Sequence, residues 1–304
     1  MRWGLLLSLW ACSTPPDWIE EAPLLGARMQ DDAGRHLYLS HAPQRVAVLS
    51  RAALPLWYKL GLDSLIQATC APTEYETQRS LPCETPALLQ EALIHDTSLW
   101  IWTDTLEKLS GLSTNRVYVF APKSMEAWLK HWKMLCLLYQ KPQALWEADR
   151  LEKIWRSFVT KTTSTRRFRV AVLSPSYYPT LLTMAHPLAG LIQEAGGIVP
   201  YRGSTPWWPG IPAETLQTYP PDILLVPAQH PERLQDFLAQ YPTAHGFPAV
   251  RYLRVFTIDN SLLENPWSNP IETFLFLLRI LHPELIGIAS PPQALPEIPQ
   301  PAQE

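Results

Sequence analysis

Two tryptophans stand side by side in Pro206-Trp207-Trp208-Pro209. An indole offers a wide apolar face, so aromatic walls can grip a large, flat, partly apolar ligand with little loss of side-chain entropy. Neighbouring residues in a proline-bounded loop cannot both enter one core, so at least one is expected to face a cleft or a partner. The chain holds 13 Trp in 304 residues. Most are expected in cores or on lobe surfaces, with two to four serving a ligand. Arg51, at the end of an apolar run, can reach amides or carboxylates of a ligand or can point to solvent. The eight His are scattered. A metal site would need three or four ligands converging, and His186, beside Pro187, is the best single candidate for an axial ligand to iron. No G-x-G-x-x-G follows either apolar strand, and neither a P-loop nor a G-x-S-x-G elbow occurs, which argues against nucleotide-dependent and serine-hydrolase chemistry. A net charge of −3 without a basic run argues against a nucleic-acid partner.

The elements that must position these residues are written twice. Arg45-Val-Ala-Val-Leu-Ser50 returns as Arg169-Val-Ala-Val-Leu-Ser174, each a short apolar run ending at a polar turn, as a buried parallel strand opening into a helix reads. Leu54 to Leu60, stopped by Gly61, matches Leu188 to Ala195, stopped by Gly196-Gly197. Ser98–Trp102 matches Asp222–Val226, and Arg116–Phe120 matches Arg254–Ile258. A strand–helix order used twice predicts an α/β fold of two Rossmann-like lobes with parallel sheets and a ligand cleft between them.

Residues 24–122 form the first lobe in this reading. It starts with a hairpin of Leu24 to Met29 and His36 to Ser40 around a polar, glycine-containing turn. Residues 123–165 are helical: Ser124 can cap, Glu126 lies in the first turn, and Pro142 breaks and restarts the run. Trp146, Leu151, Ile154, Trp155 and Phe158 fall roughly on one face. The restarted helix is expected to be the single crossing between lobes, a strut of about 25 Å at 1.5 Å per residue that limits them to a small rocking. Residues 166–288 form the second lobe, and 289–304 a proline-rich tail expected to be disordered. At the other end, residues 1–11 read as an export signal with an apolar stretch too short to span a bilayer. Leu9-Trp-Ala-Cys12 is similar to a bacterial lipobox, with Trp10 bulkier than usual there. Cys12 would then carry lipid and 12–23 would be a tether to the membrane. Outside the cytoplasm Cys70 and Cys83 are candidates for a disulfide across the Thr73–Leu81 loop, although three remaining cysteines allow three pairings. Cys136, in an apolar helical stretch, reads as a buried thiol.

With Asp32-Ala-Gly-Arg35, Pro43-Gln-Arg-Val46, Leu60-Gly61, Ala195-Gly-Gly197, Ala213-Glu-Thr-Leu216 and Pro221-Asp222 in this order, the chain resembles the periplasmic substrate-binding proteins of the helical-backbone type. These serve ABC importers of cobalamin, haem and ferric siderophores. The resemblance covers about Asp31 to Leu281. Pro206–Pro209 followed by Glu214 is most similar to the cobalamin-binding members. There a Trp of this loop lies against the corrin and a second Trp ends a first-lobe strand. Trp208 and Trp102 match those positions, with Trp100 and Trp207 as neighbours, and Tyr177, Tyr178 and Trp267 sit in loops expected at the cleft. The family also offers one glutamate per lobe to the permease. Glu214 matches in the second lobe, while the first-lobe position falls near Leu89, so that Glu84 or Glu91 would substitute. The resemblance implies a monomeric, non-enzymatic, membrane-anchored lipoprotein outside the cytoplasm, with no cofactor. It would deliver a cobalamin-like corrinoid, or alternatively haem or a ferric siderophore, to a permease and ATPase. An α/β enzyme such as a dehydrogenase or transferase, or a surface receptor that keeps the fold, are the readings from other classes.

Overall fold

A computed structural model describes residues 21–22, 26–39, 41–69, 98–104, 114–176 and 180–287. The signal and lipidation residues with Cys12, the possible disulfide partners Cys70 and Cys83, Glu84, Glu91, Tyr177, Tyr178 and the tail 289–304 lie outside them. Contacts divide the chain into two compact units. One takes the chain through Ala121 and again His131–Leu145; the other takes Pro122–Lys130 and everything from Trp146 on. Helix Met125–Leu138 is therefore shared, and helix Pro142–Thr162 belongs to the second unit except for its first turn.

The repeat in the sequence is a repeat in topology. The first unit holds a four-stranded parallel sheet in the order Ile66–Thr69, Arg45–Val48, Leu99–Thr103, Val117–Val119. The second holds Gly197–Ile198, Phe168–Val172, Ile223–Pro227, Val255–Ile258, also parallel and in the same order. In both sheets the duplicated hexapeptide supplies the strand between the edge strand and the third. Val46, Ala47, Val48, Val170, Ala171 and Val172 are all buried, as parallel strands covered on both faces must be. Each such strand leads to a helix, Leu54–Lys59 and Pro187–Glu194, and each helix ends at a glycine with positive φ, Gly61 at 63° and Gly196 at 88°. A side chain at either would strain the left-handed turn that stops the helix.

The hairpin ahead of the first unit pairs Gly26–Gln30 with His36–Leu39. Within the stretch read as a tether, Glu21–Ala22 adds a short antiparallel strand to it. The turn is held by Asp31, whose Oδ1 accepts the backbone N–H groups of Ala33 and Arg35 and whose Oδ2 accepts the Arg35 guanidinium. Arg35 also donates to the Val117 carbonyl, clipping the hairpin to the last strand of the sheet. Asp32 accepts from the Ala121 N–H and from His131 Nε2 at 2.8 Å, and the other His131 nitrogen lies 2.7 Å from the Tyr118 hydroxyl. A carboxylate only accepts, so His131 Nε2 carries a proton and donates it to Asp32. Burial first, then the nearby Asp32 charge, pushes the Tyr118 hydroxyl pKa up, keeping it a neutral donor.

Helices Met125–Leu138 and Pro142–Thr162 form where the capping residue and the proline place them, with Ser124 Oγ accepting from the Ala127 N–H. The apolar face of the second is only partly covered: Leu151, Ile154, Trp155 and Phe158 meet Met125, Leu129, Ile271, Phe274 and Leu275 around a small apolar pocket, while Trp146 is largely exposed. Glu194, at the end of helix Pro187–Glu194, ties these helices together. Its carboxylate accepts from the Met125 N–H at 3.0 Å and from Trp155 Nε1 at 3.2 Å. Gly190, one turn earlier, lies where a Cβ would come within 2.1 Å of the Lys123 carbonyl oxygen, so the close approach requires glycine.

Burial raises the Glu194 pKa to about 7, against the two hydrogen bonds that lower it. A carboxyl whose folded pKa lies above its unfolded one binds protons more tightly when folded, so its stabilisation is complete below about pH 4.5 and is lost as pH rises through about 7. We predict that the melting temperature of the native chain falls relative to that of Glu194→Gln between pH 5 and pH 8, because only the native chain loses stability from this group over the range. The buried His186, whose pKa is lowered to about 4, acts oppositely below about pH 6.5 and is common to both proteins. Parallel melting curves across the range would contradict the assignment.

Candidate ligand-binding site

In open parallel sheets the loops after the carboxyl ends of the strands are the usual place for a ligand. The two units treat this end differently. In the first, Ser50 closes the turn after the strand at once: its Oγ donates to the Phe120 carbonyl and accepts from the Ala53 N–H. Arg51 follows in this turn with an exposed side chain. In the second unit the corresponding connection is longer and carries a strand, Thr180–Leu182, which pairs antiparallel with Trp207–Pro209. Leu173 bridges to Leu181, and the Ser174 N–H donates to the Thr180 carbonyl, so this two-stranded ribbon grows directly from the end of the central strand. Thr183 fixes the far side: its N–H and hydroxyl both donate to the Pro206 carbonyl, and its Oγ1 accepts from the Ala185 N–H.

The paired tryptophans, expected in a loop, therefore lie in a strand, with Trp207 opposite Leu182 and Trp208 opposite Leu181. Successive strand residues point to opposite faces. Trp208 packs, half-buried, against the core cluster that includes Leu181, Tyr201 and Ile211. Trp207, also half-buried, presents its ring edge-on to His186, with centroids 4.8 Å apart. His186 caps helix Pro187–Glu194, its Nδ1 accepting the Leu188 N–H at 3.1 Å. Burial pushes its pKa down to about 4, so the ring is neutral near pH 7 with its proton on Nε2. That tautomer has no free lone pair on Nε2, so the capped ring does not suit the axial role for which His186 was only the best single candidate.

Three further expectations are corrected. Trp102 was placed at a strand end facing a cleft, but the strand continues to Thr103 and the ring is 1% exposed. It stacks on Tyr118 at 4.2 Å and meets Trp57 edge-on at 5.2 Å, in the core of the first unit. Trp100 sits near the amino end of the same strand, paired with Val46, away from the carboxyl-end loops. Trp267 is 2% exposed, in a turn held by the Thr273 hydroxyl donating to the Pro266 carbonyl. Glu214 does lie on the surface, in the first turn of helix Ala213–Thr218.

Sequence reasoning missed a polar group at the carboxyl ends of the two neighbouring strands of the second unit. Asp259 caps helix Asn260–Glu264 by accepting the Ser261 N–H at 2.8 Å, and that bond holds its pKa low. Gln229 bridges the strands, accepting from the Asn260 N–H and donating to Asp259. An aspartate directly after an apolar strand and before a helix was the available signal. Among the described residues no group of three or more His, Cys, Asp or Glu is placed to hold a metal ion, and no helix is long and apolar enough to cross a membrane.

No protein-family model matches this sequence, and no curated protein does. Solved structures do resemble it. The periplasmic vitamin B12 binding protein BtuF of Vibrio cholerae superposes with a TM-score of 0.62 at 14% identity, covering 79% of this chain and 97% of that one. The periplasmic heme binding protein HutB of Vibrio cholerae gives 0.55 at 18% identity, covering 79% and 99%. A possible iron-binding periplasmic solute-binding protein from Staphylococcus epidermidis gives 0.59 at 14%, covering 78% and 98%. With two α/β units and parallel sheets of matching strand order, this chain has the fold of those periplasmic binding proteins.

Proposed function

We propose that this chain is an extracytoplasmic solute-binding protein of an ABC importer, without enzymatic activity, that carries a cobalamin-like corrinoid. The observation that carries this reading is the ribbon of Thr180–Leu182 and Trp207–Pro209, which holds two half-buried indoles at the carboxyl end of a sheet in a fold whose solved examples include B12 and haem binders. A corrin has a broad apolar face and a polar amide rim. Indoles would cover the face, and Arg51 would hydrogen-bond amides. Tyr177 and Tyr178, which precede Thr180 in the sequence, would add aromatic surface. Haem is the second reading, favoured by the likeness to HutB; the capping role of His186 means that an iron ligand would have to come from elsewhere. In this reading the mature chain is a monomer tethered to a membrane by lipid on Cys12, and Glu214, with Glu84 or Glu91 in the first unit, meets a permease coupled to an ATPase.

Binding of cyanocobalamin, haemin and a ferric siderophore, followed by intrinsic tryptophan fluorescence, tests the ligand. Truncating an aromatic anchor commonly costs about 2 kcal/mol or more, so Trp208→Ala should weaken corrinoid binding by roughly thirtyfold. Because Trp208 also packs against a core, a modest fall in melting temperature is expected; undiminished affinity would sink its role. Glu214→Ala should leave ligand affinity unchanged and lower uptake in cells, and a loss of affinity in the purified protein would contradict a docking role. Cys12→Ser should move the protein from the membrane fraction to the soluble one, and an unlipidated native chain by mass spectrometry would refute the anchor.

A further inference from the structure

The amino ends of the strands in the second unit carry a chemistry of their own. Phe168 opens the central strand, and the guanidinium carbons of Arg166 and Arg254 lie 5.3 Å and 5.4 Å from its ring centre. Beneath them Asp222 is occupied by Arg169, with Nε 3.0 Å from Oδ2. Arg166 remains 72% exposed, 3.9 Å from the same carboxylate, and Arg167 reaches the Gly197 carbonyl at 3.4 Å with its side chain on the surface. The turn into the next strand is Arg251-Tyr252-Leu253-Arg254. Here Tyr252 is 61% exposed and Leu253 60%. The Arg251 guanidinium lies 5.9 Å from the Tyr252 ring.

Leu253 stands at a φ of 53°, the left-handed region that costs a residue with a Cβ on the order of 1 kcal/mol and that glycine occupies freely. The turn is closed by the Leu253 N–H to the Val250 carbonyl and the Arg254 N–H to the Ala249 carbonyl. Folding thus holds an aromatic and an aliphatic side chain out in water at a conformational cost, between Arg251 and Arg254 in sequence, with Arg166 and Arg254 sharing the Phe168 ring, on a chain whose net charge is −3.

We propose that this corner docks on an anionic lipid surface. Tyr252 and Leu253 enter the boundary between headgroups and acyl chains, where a ring with a polar tip and an aliphatic side chain are both stable. Arg166, Arg167 and Arg251 pair with lipid phosphates, whose geometry a guanidinium matches with two hydrogen bonds. The patch opposes the sign of the whole molecule, so charge complementarity selects an acidic surface and orients the second unit on it.

Flotation of the purified full-length chain with phosphatidylcholine vesicles, with and without phosphatidylglycerol, tests this. The apolar amino-terminal stretch contributes to both vesicle types, so the reading is the phosphatidylglycerol-dependent part. That part should be present in the native chain and suppressed by salt. Arg166→Gln and Arg251→Gln should each lower it by roughly fivefold, since a basic residue near an anionic surface contributes about 1 kcal/mol. Leu253→Gly separates docking from folding: it should lower the phosphatidylglycerol-dependent binding while leaving the melting temperature unchanged or raised, because glycine relieves the left-handed strain. Equal binding to both vesicle types would overturn the proposal, as would binding unaffected in the Arg166→Gln/Arg251→Gln double variant or in Leu253→Gly.

Discussion

A strand buried on both faces can send its backbone hydrogen bonds only sideways, to two neighbouring strands, since no water reaches it. Arg45–Val48 and Phe168–Val172 are under this constraint, and the rest of each unit follows from it. Parallel neighbours demand crossover connections on the sheet faces, which supply the helices Leu54–Lys59 and Pro187–Glu194. The connections must leave from the carboxyl ends of the strands. That leaves one end of each sheet free to carry loops whose chemistry can change without disturbing the core.

The two copies have used this freedom differently. In the first unit the connection after the central strand is a tight turn pinned by Ser50. Its third and fourth strands are joined by the stacked rings of Trp102 and Tyr118. In the second the same connection carries Thr180–Leu182, which pairs with Trp207–Pro209 in a ribbon that sets Trp207 and Trp208 on opposite faces. The amino ends differ as well. Asp222, buried at the start of Ile223–Pro227, is bridged by Arg169, whose hydrogen bonds lower a carboxyl pKa that burial alone would raise. In the first copy Arg45 faces Leu99 in register and the residue before that strand is the exposed Ser98. The repeat preserves the strand order and not the electrostatics.

Much of this was legible in the sequence because parallel strands and capped helices leave strong local marks: apolar runs of four or five residues, Ser124 and Pro142 at helix starts, Gly61 and Gly196 at helix ends. What was not legible depends on depth and on distant partners. Leu99–Thr103 contains two tryptophans, and a strand buried on both faces shows no alternation to tell a core ring from an exposed one. The resemblance made Trp102 a ligand contact, and nothing in the run itself spoke against it. Pro206 and Pro209 made Trp207–Pro209 read as a loop, although proline is tolerated at the end of a two-stranded ribbon. Trp267 lies in a polar segment, yet tertiary packing buries it. His131 is a lone histidine in an apolar helix until folding brings Asp32, 99 residues away in sequence, to its Nε2.

The central claim is that the carboxyl-end ribbon of the second unit is where the ligand is held. Hydrogen–deuterium exchange of the full chain with and without saturating cyanocobalamin addresses it most directly, because the ribbon amides exchange locally and the sheet cores do not. The account predicts ligand-dependent slowing in Thr180–Leu182 and Trp207–Pro209, with the central strands Arg45–Val48 and Phe168–Val172 unchanged. Slowing spread evenly over the chain, or confined to segments away from the ribbon, would contradict it.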